Sequence, residues 1–459
     1  MNFEMVIGIA ITIIILIVIS ILSGKLTKKK KGANSFLVSG AIMGTLVGGS
    51  STIGTAQLAY QYGMSAWWFT LGGGIACLIL ALIYAKPFCR SGHTTLMGFI
   101  TNEYGTRVGV IASSLSSLGS FINIISQLIA ATAVIAVVFP NISLSFSLMF
   151  SAIIMVLYII FGGVKGSGFV GVLKMLLLYI SMLSAGILVL YFCGGISGFT
   201  EYVRKIENPE NIHFYSLFAR GINKDLGACL SLILGVITTQ SYAQAIFMAE
   251  NEKQAIKGAL ISSVLVPPIG IGGILVGLYM RAMHPGIVSK TALTYFVTQY
   301  MPPMLGGIVL GALFIAVVGT GAGLALGTAT VLKNDVLPML KYSAKEKVCS
   351  KITEKKLIVL VLFLACVLSM GPLGDTILNF AFMSMGLRGA TVFVPLCFAI
   401  FMPDSVSNKY AEFSIILGPL MVLLFNLWNV LPFDPLFAGV LVSVVIMFAG
   451  MIKKCFVKK

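Results

Sequence analysis

The sequence predicts an all-α, multi-pass membrane protein, and three observations carry that expectation. Of 459 residues, 58% are hydrophobic and only 10% are charged, a balance that excludes a soluble enzyme. The apolar residues fall in runs long enough to cross a bilayer. The basic residues, which give a net charge of +16, gather between those runs, as charges that set orientation do. In a soluble chain such a charge would suggest nucleic acid; here the lipid bilayer is the expected partner and nucleic acid is not.

A span needs about 20 apolar residues, and that rule gives about thirteen spans. They are residues 3–23, 36–61, 65–88, 108–138, 143–162, 167–195, 225–248, 257–282, 303–332, 357–371, 374–401, 411–431 and 435–452. The first run lacks a small-residue cleavage site and reads as a retained helix. An odd number of spans puts the termini on opposite sides. The basic stretch 25–31, the loop 333–356 and the tail 453–459 then share one face with Lys86, Arg90, Arg107, Lys165, Lys253, Lys257 and Lys409. The other face collects only Arg204, Lys205, Arg220, Lys224, Arg281 and Lys290. That asymmetry places the N-terminus outside and the C-terminus in the cytoplasm, in the plasma membrane. Residues 292–300 read as a short outer helix and residues 95–104 as an interfacial one. Asp335 reads as a loop or cap residue. Eight scattered cysteines without a CxxC and three separated histidines assemble no metal cluster, so no cofactor is expected.

Two spans are interrupted. Residues 40–62, GAIMGTLVGGSSTIGTAQLAYQY, make a poor continuous helix, since glycine costs about 1 kcal/mol relative to alanine and hydroxyls compete for backbone partners. In lipid, such a break survives only where protein or a polar cavity satisfies the freed groups. Residues 225–248 carry a second interruption, Gly235 to Gln240, five spans later and so in the opposite direction. Paired interruptions point to a transporter with inverted repeats and a midplane site. Ser50, Ser51 and Thr52 at the first break, and Thr238, Thr239 and Gln240 at the second, are therefore candidate solute contacts. Residues 108–138 add a stripe at spacings of three and four: Ser113, Ser116, Ser117, Ser120, Asn123 and Gln127, all on one helical face. Ser120, Asn123 and Gln127 lie near mid-span and are the cavity candidates; the other serines suit close helix packing.

Three further stretches carry a resemblance. They are residues 158–179, YIIFGGVKGSGFVGVLKMLLLY; residues 240–259, QSYAQAIFMAENEKQAIKGA; and residues 292–335, which end in GALFIAVVGTGAGLALGTATVLKND. In order and spacing they resemble the solute:sodium symporter family, with its LeuT-type fold. The resemblance implies a ten-helix core over residues 36–402, built as two inverted five-helix repeats (about 36–195 and 225–402) whose first and sixth helices are broken. An extra helix and basic loop (1–35) precede it, and two extra helices with a basic tail (403–459) follow. Solute would sit between the first, third, sixth and tenth core helices.

The family's sodium site, carried over residue by residue, takes carbonyls from Gly44, Val47 and Ala316 and two hydroxyls at positions 319 and 320. Thr320 supplies one hydroxyl; Gly319 supplies none, so the site is one ligand short. The family's acid and glutamine on the fifth core helix are replaced by Gly171 and Lys174. A lysine within a span costs about 2.5–3.5 kcal/mol on insertion scales. Its ammonium could take the ion's place against the same carbonyls and Thr320, or it could snorkel to the headgroups. Arg388, the other charge inside a span, could hold an anionic solute, or serve an inner gate or the framework.

The function expected is secondary active transport of a small solute, not enzymatic catalysis. Sodium coupling is the family default, and a proton-coupled or sodium-independent carrier with Lys174 in place of sodium is the alternative. A non-transporting membrane sensor is the lesser one. A cavity of hydroxyls and amides, with one cationic anchor and no intramembrane acid, favours a neutral or anionic solute such as an amino acid or small carboxylate. No obligate protein partner is evident.

Overall fold

A computed structural model describes residues 3–26, 32–139, 141–206, 211–338, 353–371, 377–428 and 434–457. Apolar runs in lipid must satisfy every backbone amide and carbonyl internally, and the regular elements are accordingly helical. The first repeat holds a broken pair α2 (Ser35–Leu46) and α3 (Thr55–Tyr62), then α4 (Trp68–Ile79) continuing into α5 (Ala85–Arg90), the short α6 (Met97–Tyr104), α7 (Thr106–Val138) and α8 (Leu144–Phe192). α1 (Phe3–Leu26) precedes it and α9 (Ile196–Arg204) follows it. The second repeat holds the broken pair α10 (Ile222–Ile237) and α11 (Gln240–Phe247), α12 (Glu252–Met283), the short α13 (Ala292–Tyr300), α14 (Pro303–Val331), α15 (Glu354–Ser369) and α16 (Ile377–Phe401). α17 (Asn408–Trp428) and α18 (Pro435–Val457) close the described chain.

Eight helices among the described residues are long and apolar enough to cross a membrane, and α10 with α11, bent by 45°, makes a ninth span. This is fewer than the roughly thirteen expected from apolar length. The apolar helix Ser35–Leu46 is short, α15 has only 16 residues, and the second and third expected spans merge in one helical run from Ser50 to Arg90. The expected spans 143–162 and 167–195 likewise fall in the single run α8. That run is not straight. Tyr158 and Lys174 both lie beside Gly319, within 3.5 Å of where its side chain would begin, whereas a straight helix would separate them by about 24 Å. α8 therefore bends between Tyr158 and Lys174, which divides it into two arms.

α14 is the axis of the molecule, with 89% of its apolar window buried. Small residues let its neighbours approach closely, the device that drives helix association in lipid. A methyl group added at Gly311 would sit 2.8 Å from Thr12 of α1. The opposite pattern marks the rim. On the second arm of α8, Leu176, Ile180, Leu183 and Ile187 are exposed at helical spacing, an apolar face suited to lipid.

Candidate ion and solute site

The first break is stitched by side chains. α2 ends at Leu46, Val47 turns extended, and a π-helical turn over Ser50–Gly54 leads into α3. Ser51 Oγ accepts from the Gly48 amide at 2.8 Å, and Ser51 and Thr52 both donate to the Gly48 carbonyl, at 3.0 and 2.8 Å. From α7, Gln127 Oε1 accepts from the Gly49 amide at 3.0 Å. Its Nε2 donates to Ser50 Oγ and Asn123 Oδ1. The groups that lipid could not satisfy are thus met by protein. Glycine is required at the centre, because a Cβ on Gly48 would collide with Thr320 Oγ1 and a Cβ on Gly49 would lie 2.5 Å from Ala130 Cβ.

Lys174 points inward to this break. Its side chain is 1% exposed, and its Nζ donates to the Gly44 carbonyl at 2.6 Å and to Thr320 Oγ1 at 2.7 Å. Thr320 Oγ1 is also within 3.4 Å of the Gly44 carbonyl and 3.3 Å of the Val47 carbonyl. Of the expected ion ligands, Gly44, Val47 and Thr320 converge, and the ammonium of Lys174 joins them in place of snorkelling. Gly319, lacking a side chain, leaves space that the Lys174 stem and Tyr158 fill. Ala316 is fully buried one turn away. A cavity of about 30 Å³, room for a single water, adjoins the cluster and is lined by Gly44, Tyr158, Ser241, Gln244 and Gly319 among others.

The second break is simpler. Thr238 and Thr239 are buried, and their hydroxyls turn back on the carbonyls of Leu234 and Gly235 in their own helix. Gln240 does not face a midplane cavity. Its Oε1 accepts from the Leu96 amide at 2.7 Å and its Nε2 donates to the Thr94 carbonyl at 3.2 Å, so it ties α11 to the segment before α6.

Arg388 is 0% exposed. Its Nε donates to the Ser384 carbonyl at 3.2 Å and its Nη1 to Ser120 Oγ at 3.3 Å, while Nη2 has no partner. Ser120 therefore faces α16, apart from the Asn123–Gln127–Ser50 chain. Toward one face, a cavity of about 540 Å³ opens between α10, α16, α17 and α18, lined by Arg220, Lys224, Asn379, Asn426 and Asp434.

A broken opening helix in each repeat is the mark of a transporter built from inverted repeats. The profile of the sodium:solute symporter family matches residues 31–418. The chain belongs to that family. Its human relative, the high affinity choline transporter 1, is 23% identical over 391 residues, covering 82% of this chain and 66% of its own length. The sodium/glucose cotransporter of Vibrio parahaemolyticus is 23% identical over 327 residues, covering 65% and 60%. The chain thus spans just under two thirds of these relatives. Among solved structures, a Na⁺-coupled sialic acid symporter superposes with a TM-score of 0.74 at 17% identity, over 98% of this chain and 97% of its own. The nucleobase-cation-symport-1 transporter Mhp1 does so at 0.64 and 12% identity, over 91% and 92%. At such identities the likeness establishes the fold.

Within this symporter fold, several residues escaped the sequence reading. Ser126 donates to the Ile377 carbonyl at 2.9 Å and joins α7 to the start of α16; it sits one position off the polar stripe, which hid it. Ser241 donates to the Gly323 carbonyl at 3.0 Å. The absence of an intramembrane acid was also misjudged. Asp225, at the first turn of α10, is fully buried and paired with Arg220 at 2.7 Å, with Ser65 donating to the same carboxylate. The pair neutralises itself at the end of the span.

Proposed function

We propose that the chain is a secondary active transporter that moves a small solute by alternating access, with the Lys174 ammonium standing in the position of the coupling ion. The observation that carries this reading is the pair of short contacts from Lys174 Nζ to the Gly44 carbonyl and Thr320 Oγ1. A cation held there repels sodium and has already taken its ligands. Charge on that ammonium then changes by gain and loss of a proton, so a proton exchanged between the two faces is the coupling event the site can support. The excess of basic residues on one face supports an outside N-terminus and a cytoplasmic C-terminus at the plasma membrane. The solute is neutral or anionic. Choline, named for several relatives, does not carry over, because two cations, Lys174 and Arg388, are buried within the helix bundle and, among the described residues, the one fully buried carboxylate, Asp225, is already paired.

Solute uptake into proteoliposomes, with and without a sodium gradient and with an imposed pH gradient, tests the reading. Uptake that follows the pH gradient, ignores sodium and is lost in Lys174→Gln is expected. Strict sodium dependence that survives in Lys174→Gln would instead return the protein to the sodium-driven family default.

A further inference from the structure

Ion pairs among the described residues include Arg90–Glu252, Arg107–Glu412, Lys205–Glu201 and Arg220–Asp225. Arg388 is in none of them, although it is fully buried. Its two hydrogen bonds, at 3.2 and 3.3 Å, are longer than the roughly 2.7–2.9 Å of a charge-assisted contact. Its Nη2 has no partner, and neither do the buried hydroxyls of Ser113 and Ser117, which follow Ser120 down the same face of α7. A guanidinium held this way, without an anion, keeps a desolvated charge uncompensated. Its planar fork is shaped for two-point contact with a carboxylate.

The position is also a repeat of one already described. Lys174 stands on the last helix of the first repeat and Arg388 on the last helix of the second. Each reaches a hydroxyl on the third helix of the opposite repeat, Thr320 on α14 and Ser120 on α7. Each hydroxyl follows a glycine that makes room for the cation's stem: a Cβ would lie 3.5 Å from Lys174 Cδ at Gly319, and 2.6 Å from Arg388 Cγ at Gly119. Three residues before each cation, the helix presses on a glycine of its own broken helix, Gly171 on Gly40 and Met385 on Gly235. The two positions differ in one respect. Lys174 closes onto a carbonyl of its broken helix, Gly44, while Arg388 leaves Nη2 unpartnered.

We propose that Arg388 binds the carboxylate of an anionic cargo, a small carboxylic acid, through the unpartnered Nη2 and the weakly held Nη1. The proposal rests on the transporter reading for its cargo and adds the cargo's chemical class.

Thermal unfolding of the purified full chain in detergent tests it with matched probes: L-alanine, L-proline, L-lactate and succinate, each against its amide. At least one acid is expected to raise the melting temperature saturably, as a ligand of the folded state does, while its amide does not. Arg388→Gln is expected to weaken that acid by on the order of 30-fold, as when one partner of a buried charge pair is removed, with Arg388→Lys losing less. A purely structural role would lower the melting temperature of the free protein and leave the preference for acid over amide intact. Equal stabilisation by acid and amide in the wild type overturns the proposal. So does an acid preference that survives in Arg388→Gln, or in Arg388→Lys should the glutamine variant not fold. Stabilisation by no acid overturns it too. Vesicle uptake of the same acid separates the two readings: binding without uptake defeats transport and leaves Arg388 standing, whereas uptake with an unaltered acid preference in Arg388→Gln defeats only the Arg388 assignment.

Discussion

The two broken helices solve the same problem with different partners. At the first break, the freed amides and carbonyls of Gly48 and Gly49 are met by Ser51, Thr52 and Gln127, and Lys174 and Thr320 close on the carbonyls just before it. Four elements, α2, α7, α8 and α14, meet there. At the second, Thr238 and Thr239 bond only their own helix, and the cross-contacts are Gln240 to the segment before α6 and Ser241 to the Gly323 carbonyl of α14. The first break is locked into the centre of the molecule; the second is tied to a segment near one face. The difference teaches where each break can move. Changing the ion position must reorganise the first, while the second is held across helices by two side chains, Gln240 and Ser241.

Substitutions can break or sharpen that contrast. The largest loss is expected at Gly48→Val, whose side chain would meet Thr320 Oγ1 and Gln127 Oε1; overpacking of this kind costs about 1–3 kcal/mol or more, read as a lowered melting temperature in detergent. Gln127→Ala strands the Gly49 amide and takes one partner from the Ser50 hydroxyl and is expected to cost about 1–3 kcal/mol by the same measurement. Gln240→Ala removes the contacts to Leu96 and Thr94. It is expected to cost only about 0.5–1.5 kcal/mol, with faster amide exchange at Leu96 as its signature. Thr238→Val should be smallest, under about 0.5 kcal/mol, because the Leu234 carbonyl keeps its bond from the Thr238 amide and the side chain keeps its shape. A loss at Thr238→Val as large as at Gln127→Ala would erase the distinction between the breaks.

Much of the fold was legible because it follows from local rules. The Gly48–Thr52 run and the Gly235–Thr239 run break where glycine and hydroxyls weaken a helix, and Ala292–Tyr300 forms the expected short helix. The site was legible only in part. Gln127 and Ser50 meet as the stripe implied, yet Gln240, at an equally suggestive place, faces the Thr94–Leu96 segment. The reason is rotational. A 45° bend at Thr238–Thr239 resets the phase of the following helix, and no periodicity in the sequence records it. Lys174 shows the same limit. Its identity permits both snorkelling and an interior contact, and only the seating of α8 on α2, with Gly171 against Gly40, decides between them. Arg388 was visible as a charge, but the lack of a partner at Nη2 is a property of three helices at once.

The central claim is that the Lys174 ammonium holds the place of a coupling ion. The most direct measurement is the thermal unfolding of purified protein titrated with sodium chloride against potassium chloride, for the wild type, Thr320→Val and the double variant Lys174→Gln with Gly319→Ser. The wild type is predicted to show no sodium-specific shift, and the double variant, with the missing hydroxyl restored and the ammonium removed, to gain one. A saturable sodium-specific shift in the wild type that Thr320→Val abolishes would contradict the account.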